Sequence, residues 1–144
     1  MKRRSTAIWN GTGVEGKGYL TSTSGVLKNT PYSSAMRFKN EDGREGTNPE
    51  ELIAAAHAGC YAMALSYGLT DAGFPPKELQ VTSNVNIEKV GDHWEITDIH
   101  LDLNGEVPGI SRQKFLELAD SAKICCPVSR ALKALPITLS ANLK

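Results

Sequence analysis

The chain has 144 residues, and its sixteen basic and sixteen acidic side chains cancel. That length fits a single domain over 1–144 with a real core, and the balanced charge offers neither a basic surface for nucleic acid nor an acidic solvating tail. Met1-Lys2-Arg3-Arg4 resembles the start of a secretory signal, but Ser5 to Gly11 is too short and polar to follow it as one, and no run approaches membrane length, so a cytoplasmic protein with no membrane partner is expected.

In chain order, residues 5–39 read as short strands. Thr6-Ala7-Ile8-Trp9 leads into the Gly-rich turn Asn10-Gly11-Thr12-Gly13. Gly16 to Ser22 and Val26 to Thr30 flank a Ser24-Gly25 turn, and Ala35-Met36-Arg37-Phe38 is a fourth short segment, closed by a polar loop from Asn40 to Gly46. A long helix opens at Thr47. Either Thr47 and Glu50 form a capping box, or Asn48 is the cap and Pro49 takes the first helical position, where a missing N–H costs nothing. Glu50 and Glu51 sit near the positive end of the helix dipole. From Leu52 to Leu65 there is no Asp, Glu, Lys or Arg, and His57 stands alone among small and apolar residues. A helix apolar on nearly every side is expected to be buried on nearly every side. Its alanines and Gly59 let another backbone come close. The helix ends near Asp71-Ala72-Gly73, with Pro75-Pro76 as the stop.

Two long strands follow. Leu79, Val81, Val85 and Ile87 alternate with polar residues, and Gly91-Asp92 is the turn. On the return strand Trp94 and Ile96 share one parity, while Ile99, Leu101 and Leu103 share the other. A change of parity needs an extra residue, so a bulge is expected near Thr97-Asp98. After Pro108-Gly109, Ser111 caps a helix carrying Phe115, Leu116, Leu118, Ala119 and Ala122. Cys126-Pro127 breaks it, a short helix runs from Val128 to Ala134, and Ile137, Leu139, Ala141 and Leu143 alternate as a last strand. This order is α+β, without linker or repeat.

The three cysteines do not read as a disulfide framework. Cys60 is mid-helix, far from any dipole end, so its ionisation needs a cation from elsewhere. His57, one turn earlier, either faces it or fills space and bonds a carbonyl. Cys126 precedes a proline that begins a helix, where free N–H groups favour a thiolate; the other reading is an ordinary small apolar residue. Cys125 and Cys126 have α-carbons about 3.8 Å apart, too close for an unstrained bridge. Within the chain, any disulfide would join Cys60 to one of them. A zinc site from His57, Cys60, Cys125 and Cys126 lacks Cys-x-x-Cys spacing, and neither metal nor cofactor is expected. No nucleophile elbow or phosphate loop is present.

Thr47-Asn48-Pro49-Glu50-Glu51-Leu52, Ala54-Ala55-Ala56-His57-Ala58-Gly59-Cys60 and Met63-Ala64-Leu65 resemble the OsmC branch of the OsmC/Ohr hydroperoxide reductases. Cys126-Pro127-Val128-Ser129 resembles that branch's second cysteine motif. Ser24-Gly25-Val26-Leu27, Pro31-Tyr32, Arg37-Phe38, Val107-Pro108-Gly109-Ile110 and Ile137-Thr138-Leu139 extend the likeness nearly end to end. The resemblance implies an OsmC-like α+β fold, with a long buried central helix enclosed by bent antiparallel sheets in an intertwined homodimer. It implies a thiol peroxidase acting on organic hydroperoxides in defence against oxidative stress. Cys60 corresponds to the peroxidatic cysteine, Cys126 to the resolving cysteine, and Arg37 and Glu50 to the family's arginine and glutamate. Arg37 would supply the cation that Cys60 lacks, and Glu50 would hold the guanidinium in a bidentate grip. A Cys60 sulfenic acid would condense with Cys126 to a disulfide, reopened by a dithiol reductant of lipoyl type. Met63, Leu52, Ile53, Ile110 or Phe115 would wall the site for an alkyl or aryl group. Glu50 and Cys60 are roughly 15 Å apart along one helix, so Arg37 and Glu50 are expected from the partner subunit. Cys125 departs from the family's pattern, either as a passive core residue, the favoured role, or as a competing resolver. A non-peroxidase thiol enzyme and an oxidant-sensing or binding protein remain alternatives on the same scaffold.

Overall fold

The computed structural model describes residues 1–39 and 44–144, so the start of the polar loop expected from residue 40 lies outside the described residues. The chain forms two compact units, Met1–Leu52 and Ile53–Lys144.

In the first unit, β1 (Ser5–Asn10), β2 (Lys17–Ser22) and β3 (Thr30–Ser33) form an antiparallel sheet in that order. Two expectations are corrected. Val26 to Asn29 is not strand. Gly25 at φ +79° and Asn29 at φ +51° bend the backbone on either side, and no extended run fits between them. Residues 35–38 are not strand either, but part of the helix α1 (Ser34–Phe38). Ser33 is extended, and its hydroxyl accepts from Met36 N–H at 3.1 Å, a cap that starts the helix.

The central helix α2 runs Pro49–Asp71. Asn48 is its cap: Oδ1 accepts from Glu51 N–H at 2.8 Å, while the Thr47 hydroxyl donates to the Glu51 carboxylate at 2.5 Å. At the far end Phe74 N–H donates to Leu69 O, and Gly73 N–H to Thr70 O, with Gly73 at φ +87°. These paired bonds close the helix as a Schellman turn, whose left-handed position glycine takes without strain.

Within the single chain α2 is not buried on every side. His57, Tyr61, Leu65 and Leu69, spaced by fours, are fully buried, whereas Ala55, Ala56, Gly59, Met63 and Tyr67 are exposed. The 23-residue helix has an 18-residue window of mean hydropathy 1.3, long and apolar enough by composition to cross a membrane. That corrects the expectation that no run approaches membrane length, although here the helix packs its buried stripe into a protein core.

In the second unit, β4 (Glu78–Val90) and β5 (His93–Glu106) form a long hairpin. Asn86 pairs with Asp98 but Ile87 pairs with Ile96, so Thr97 is the extra residue, as the parity change required. The strand β6 (Ile137–Leu143) pairs with β5 in parallel, so this sheet is mixed rather than wholly antiparallel. A parallel neighbour needs a crossover, which α3 (Arg112–Cys125) and α4 (Pro127–Ala131) supply. Ser111 caps α3, its hydroxyl accepting from Lys114 N–H at 3.2 Å. The second helix is shorter than expected, ending at Ala131. Tyr61, Leu65, Leu69, Leu101, Leu103 and Phe115 form the core with Cys126. Gly105 of β5 lies under the Phe115 ring, where a Cβ would stand 2.6 Å from Cζ.

Candidate functional site

Cys126 is the joint between two helices. Its N–H donates to Ala122 O, closing α3, and its C=O accepts from Arg130 N–H, opening α4. Pro127 sits at the first helical position, which fixes the break at the cysteine. The side chain is fully buried. Its sulfur makes no capping hydrogen bond. Burial alone would raise it, but the Ser129 N–H, the Cys60 thiol, the Ser129 hydroxyl and the Val128 N–H outweigh burial and hold it below an ordinary thiol. The direction is the one a thiol at a helix cap takes.

Cys60 is half-buried on α2 and packs against the core cluster that contains Cys126. Burial pushes the Cys60 thiol up, the Val128 N–H opposes that, and the neighbouring Cys126 sulfur adds to the rise. Neither of these neighbours is a cation. Cys125, the last residue of α3, is exposed, so the core position favoured for it is corrected. All three cysteines are free, and among the described residues no cluster suits a metal ion.

His57 does not bond a carbonyl. Its Nε2 lies 2.8 Å from Ser129 Oγ, and burial lowers its pKa. Ser129 is a site neighbour that the sequence reading quoted without a role. The available signal was its position, third in a helix capped by a cysteine. Of the residues proposed as a wall, Phe115 and Ile110 are in the core and Met63 is 61% exposed. A cleft of about 750 Å³ opens beside α4 instead, lined by Lys123, Ile124, Pro127, Ser129, Arg130 and Leu135, among others.

Arg37 and Glu50 belong to the first unit. Arg37 Nε donates to Glu50 Oε2 at 3.1 Å and Nη2 to Oε1 at 2.5 Å, the bidentate grip expected. Glu50 is buried, the guanidinium lies 4.8 Å from the Phe38 ring centroid, and Arg37 keeps about a third of its side chain accessible. The four expected site residues thus form two pairs, Cys60 with Cys126 and Arg37 with Glu50.

The described residues form a mixed α+β scaffold built on one long helix, with Cys60 on that helix and Cys126 at the joint of two others. Residues 40–140 match the family described as OsmC-like protein. Across 144 residues the chain is 45% identical to Peroxiredoxin OsmC of Escherichia coli (strain K12), covering 100% of this chain and 98% of that one. It is 32% identical over 100 residues, 68% of each chain, to the Organic hydroperoxide resistance protein of Xanthomonas axonopodis pv. citri. The crystal structure of the Organic Hydroperoxide Resistance Protein OhrB of Bacillus subtilis is similar with a TM-score of 0.73 and 26% identity, covering 100% of this chain and 98% of that one. The chain belongs to the OsmC family.

Proposed function

We propose that this protein is a peroxidase of oxidative-stress defence that reduces organic hydroperoxides to alcohols through Cys60 and Cys126. The observation that carries the proposal is that Cys60 on α2 packs against the buried cluster that holds Cys126 at the α3–α4 joint. The names of the E. coli and Xanthomonas relatives support the peroxide chemistry.

A thiolate, not a thiol, attacks a peroxide. In one chain the anion is favoured on Cys126, not on Cys60. Cys60 therefore needs the guanidinium of Arg37, held in place by Glu50. Glu50 and Cys60 lie ten residues apart on one helix, roughly 15 Å along its axis, so Arg37 and Glu50 act from the partner subunit of a homodimer. The exposed small-residue face of α2 supports that pairing.

The Cys60 thiolate takes the terminal oxygen of the hydroperoxide, leaving a sulfenic acid, and the alkoxide departs as alcohol under the guanidinium charge. Cys126 then attacks the oxidised sulfur, a disulfide forms and water is released. An external dithiol, of lipoyl type, restores both thiols by exchange.

The test mixes reduced protein with cumene hydroperoxide and counts free thiols. Loss of two thiols per chain, abolished in Cys60→Ser and mapped to a Cys60–Cys126 peptide pair, is the expected result. Unchanged thiols would reject the peroxidase; a Cys60–Cys125 linkage would reassign the resolving residue.

A further inference from the structure

His57 is buried, one helical turn before Cys60, and takes no part in the reaction proposed above. It still makes a specific long-range contact: Nε2 stands 2.8 Å from Ser129 Oγ, 72 residues away in sequence. Its Nδ1 is buried without a partner among the described residues. This asymmetry selects a tautomer. A proton on Nδ1 would leave an orphaned buried donor, while a proton on Nε2 leaves only a bare lone pair there. Nε2–H therefore donates to Ser129 Oγ.

A hydroxyl that accepts from His57 has its own hydrogen to give. Cys126, the buried cap of α4 three residues earlier, offers that hydrogen a sulfur acceptor. The local geometry favours this, since Cys126 is the cap of α4 and Ser129 is three residues on, the spacing at which a side chain reaches back to the cap. Such a donation would string two buried side chains from distant parts of the chain in a line of donors that ends on one sulfur.

We propose that His57 and Ser129 are positioning residues for Cys126: the line His57 Nε2–H to Ser129 Oγ–H to Cys126 Sγ holds that sulfur as a thiolate directed at Cys60. The role in turnover rests on the peroxidase function proposed above. The Cys126 thiolate attacks the sulfur of the Cys60 sulfenic acid, the S–S bond forms and the S–O bond breaks. The departing hydroxide takes up the proton that Cys126 released on ionising, so one water leaves. Cys126 is oxidised from thiol to disulfide and the Cys60 sulfur is reduced from sulfenic acid to disulfide. His57 stays neutral throughout, in keeping with burial that disfavours its charged form. The other titratable groups acting around Cys126 are Cys60 and Tyr61 on α2, with Asp120 of α3 acting on Tyr61.

The test follows the Cys126 thiolate by its ultraviolet absorbance across a pH series in a Cys60→Ser, Cys125→Ser chain, where Cys126 is the only thiol. Adding Ser129→Ala is expected to shift the titration upward, lowering the thiolate fraction near neutral pH about tenfold, a shift of one pKa unit. Ser129→Thr, which keeps a hydroxyl, is expected to restore the parent curve. His57→Gln, with an amide N–H near the old Nε2, should titrate like the parent, and His57→Leu should titrate high. In the chain with all three cysteines, Ser129→Ala should slow conversion of the Cys60 sulfenic acid to the disulfide, followed as the decay of dimedone-reactive protein, by about the same factor, more than it slows the first reaction with cumene hydroperoxide. If Ser129→Ala titrated like the parent, the inference would be overturned, whatever the His57 variants did and even in a fully active enzyme. If the titrations shifted as expected but the wild-type chain consumed no hydroperoxide, the donor line would stand and the peroxidase function would fall.

Discussion

Arg37 and Glu50 meet as fork and carboxylate, Nε on Oε2 at 3.1 Å and Nη2 on Oε1 at 2.5 Å. The carboxylate is buried while the guanidinium remains partly accessible, so the pair points a fixed cation outward from a buried anchor. On the proposed role of Arg37 as the charge that ionises Cys60, Arg37→Ala should lower the rate of sulfenic acid formation about a hundredfold, the scale of losing one preorganised electrostatic contact. Arg37→Lys should recover only part of this, because an ammonium cannot make the two-point grip. Glu50→Gln should free the guanidinium and lose stability by about 1–2 kcal/mol, less than for a fully buried pair because Arg37 still reaches water. Rapid-mixing kinetics with cumene hydroperoxide give the rates and urea unfolding the stability; an unaltered rate in a folded Arg37→Ala chain would remove Arg37 from the site.

Burial lowers the His57 pKa from its ordinary 6.5. The unfolded chain therefore takes this proton at a higher pH than the folded one does. Stability from a neutral His57 is fully present above about pH 6.5 and is lost as pH falls toward and through the folded value. The urea midpoint should drop on acidification below that point, and His57→Gln should flatten this part of the profile while leaving the carboxylate-driven loss at lower pH. An unchanged acid limb in His57→Gln would assign the loss to other groups.

Much of the second unit was legible because its signals are local or periodic. The parity change between Ile96 and Ile99 located the bulged residue Thr97, and Asn48-Pro49 with Gly73 marked both ends of α2. Alternation tells which face a strand buries but not which way its neighbour runs, so the parallel pairing of β6 was not readable from Ile137, Leu139, Ala141 and Leu143. Residues 35–38 are too few to separate strand from helix by period; the Ser33 cap was the better signal. At the site, the proline after Cys126 disclosed the helix cap, whereas the His57–Ser129 contact spans 72 residues and exists only through tertiary packing.

Gly105 has its Cα beneath the Phe115 ring, and an added methyl would stand 2.6 Å from Cζ and 2.8 Å from Cε2. Phe115 is fully buried in the core and cannot swing away. Gly105→Ala should therefore cost about 1–3 kcal/mol through overpacking. Phe115→Leu alone opens a void, but combined with Gly105→Ala it makes room for the methyl. The two changes should be less damaging together than the sum of each alone, a coupling readable from unfolding midpoints in a double-mutant cycle. Simple additivity would mean the strand shifts to absorb the methyl.

Gly59 is one residue before Cys60 on α2, and among the described residues nothing beyond its own stretch of helix lies within 4 Å of the place where a Cβ would be. It shares the exposed face with Ala55, Ala56, Met63 and Tyr67, of which Tyr67 is 71% exposed. The chain's own packing does not require a small residue here; the close approach of a second copy proposed above would. Gly59→Leu should leave the single chain's fold intact, and helix propensity alone would favour it by somewhat under 1 kcal/mol. It should prevent the two-fold contact, so that sedimentation reports a monomer where the wild type reports a dimer. Because Arg37 is then no longer delivered to Cys60, peroxide-driven thiol loss should fall with dimer content, while Cys126 titrates as before. A Gly59→Leu chain that remained dimeric and active would move the interface away from this face of α2 and leave the cation at Cys60 to be found within the chain.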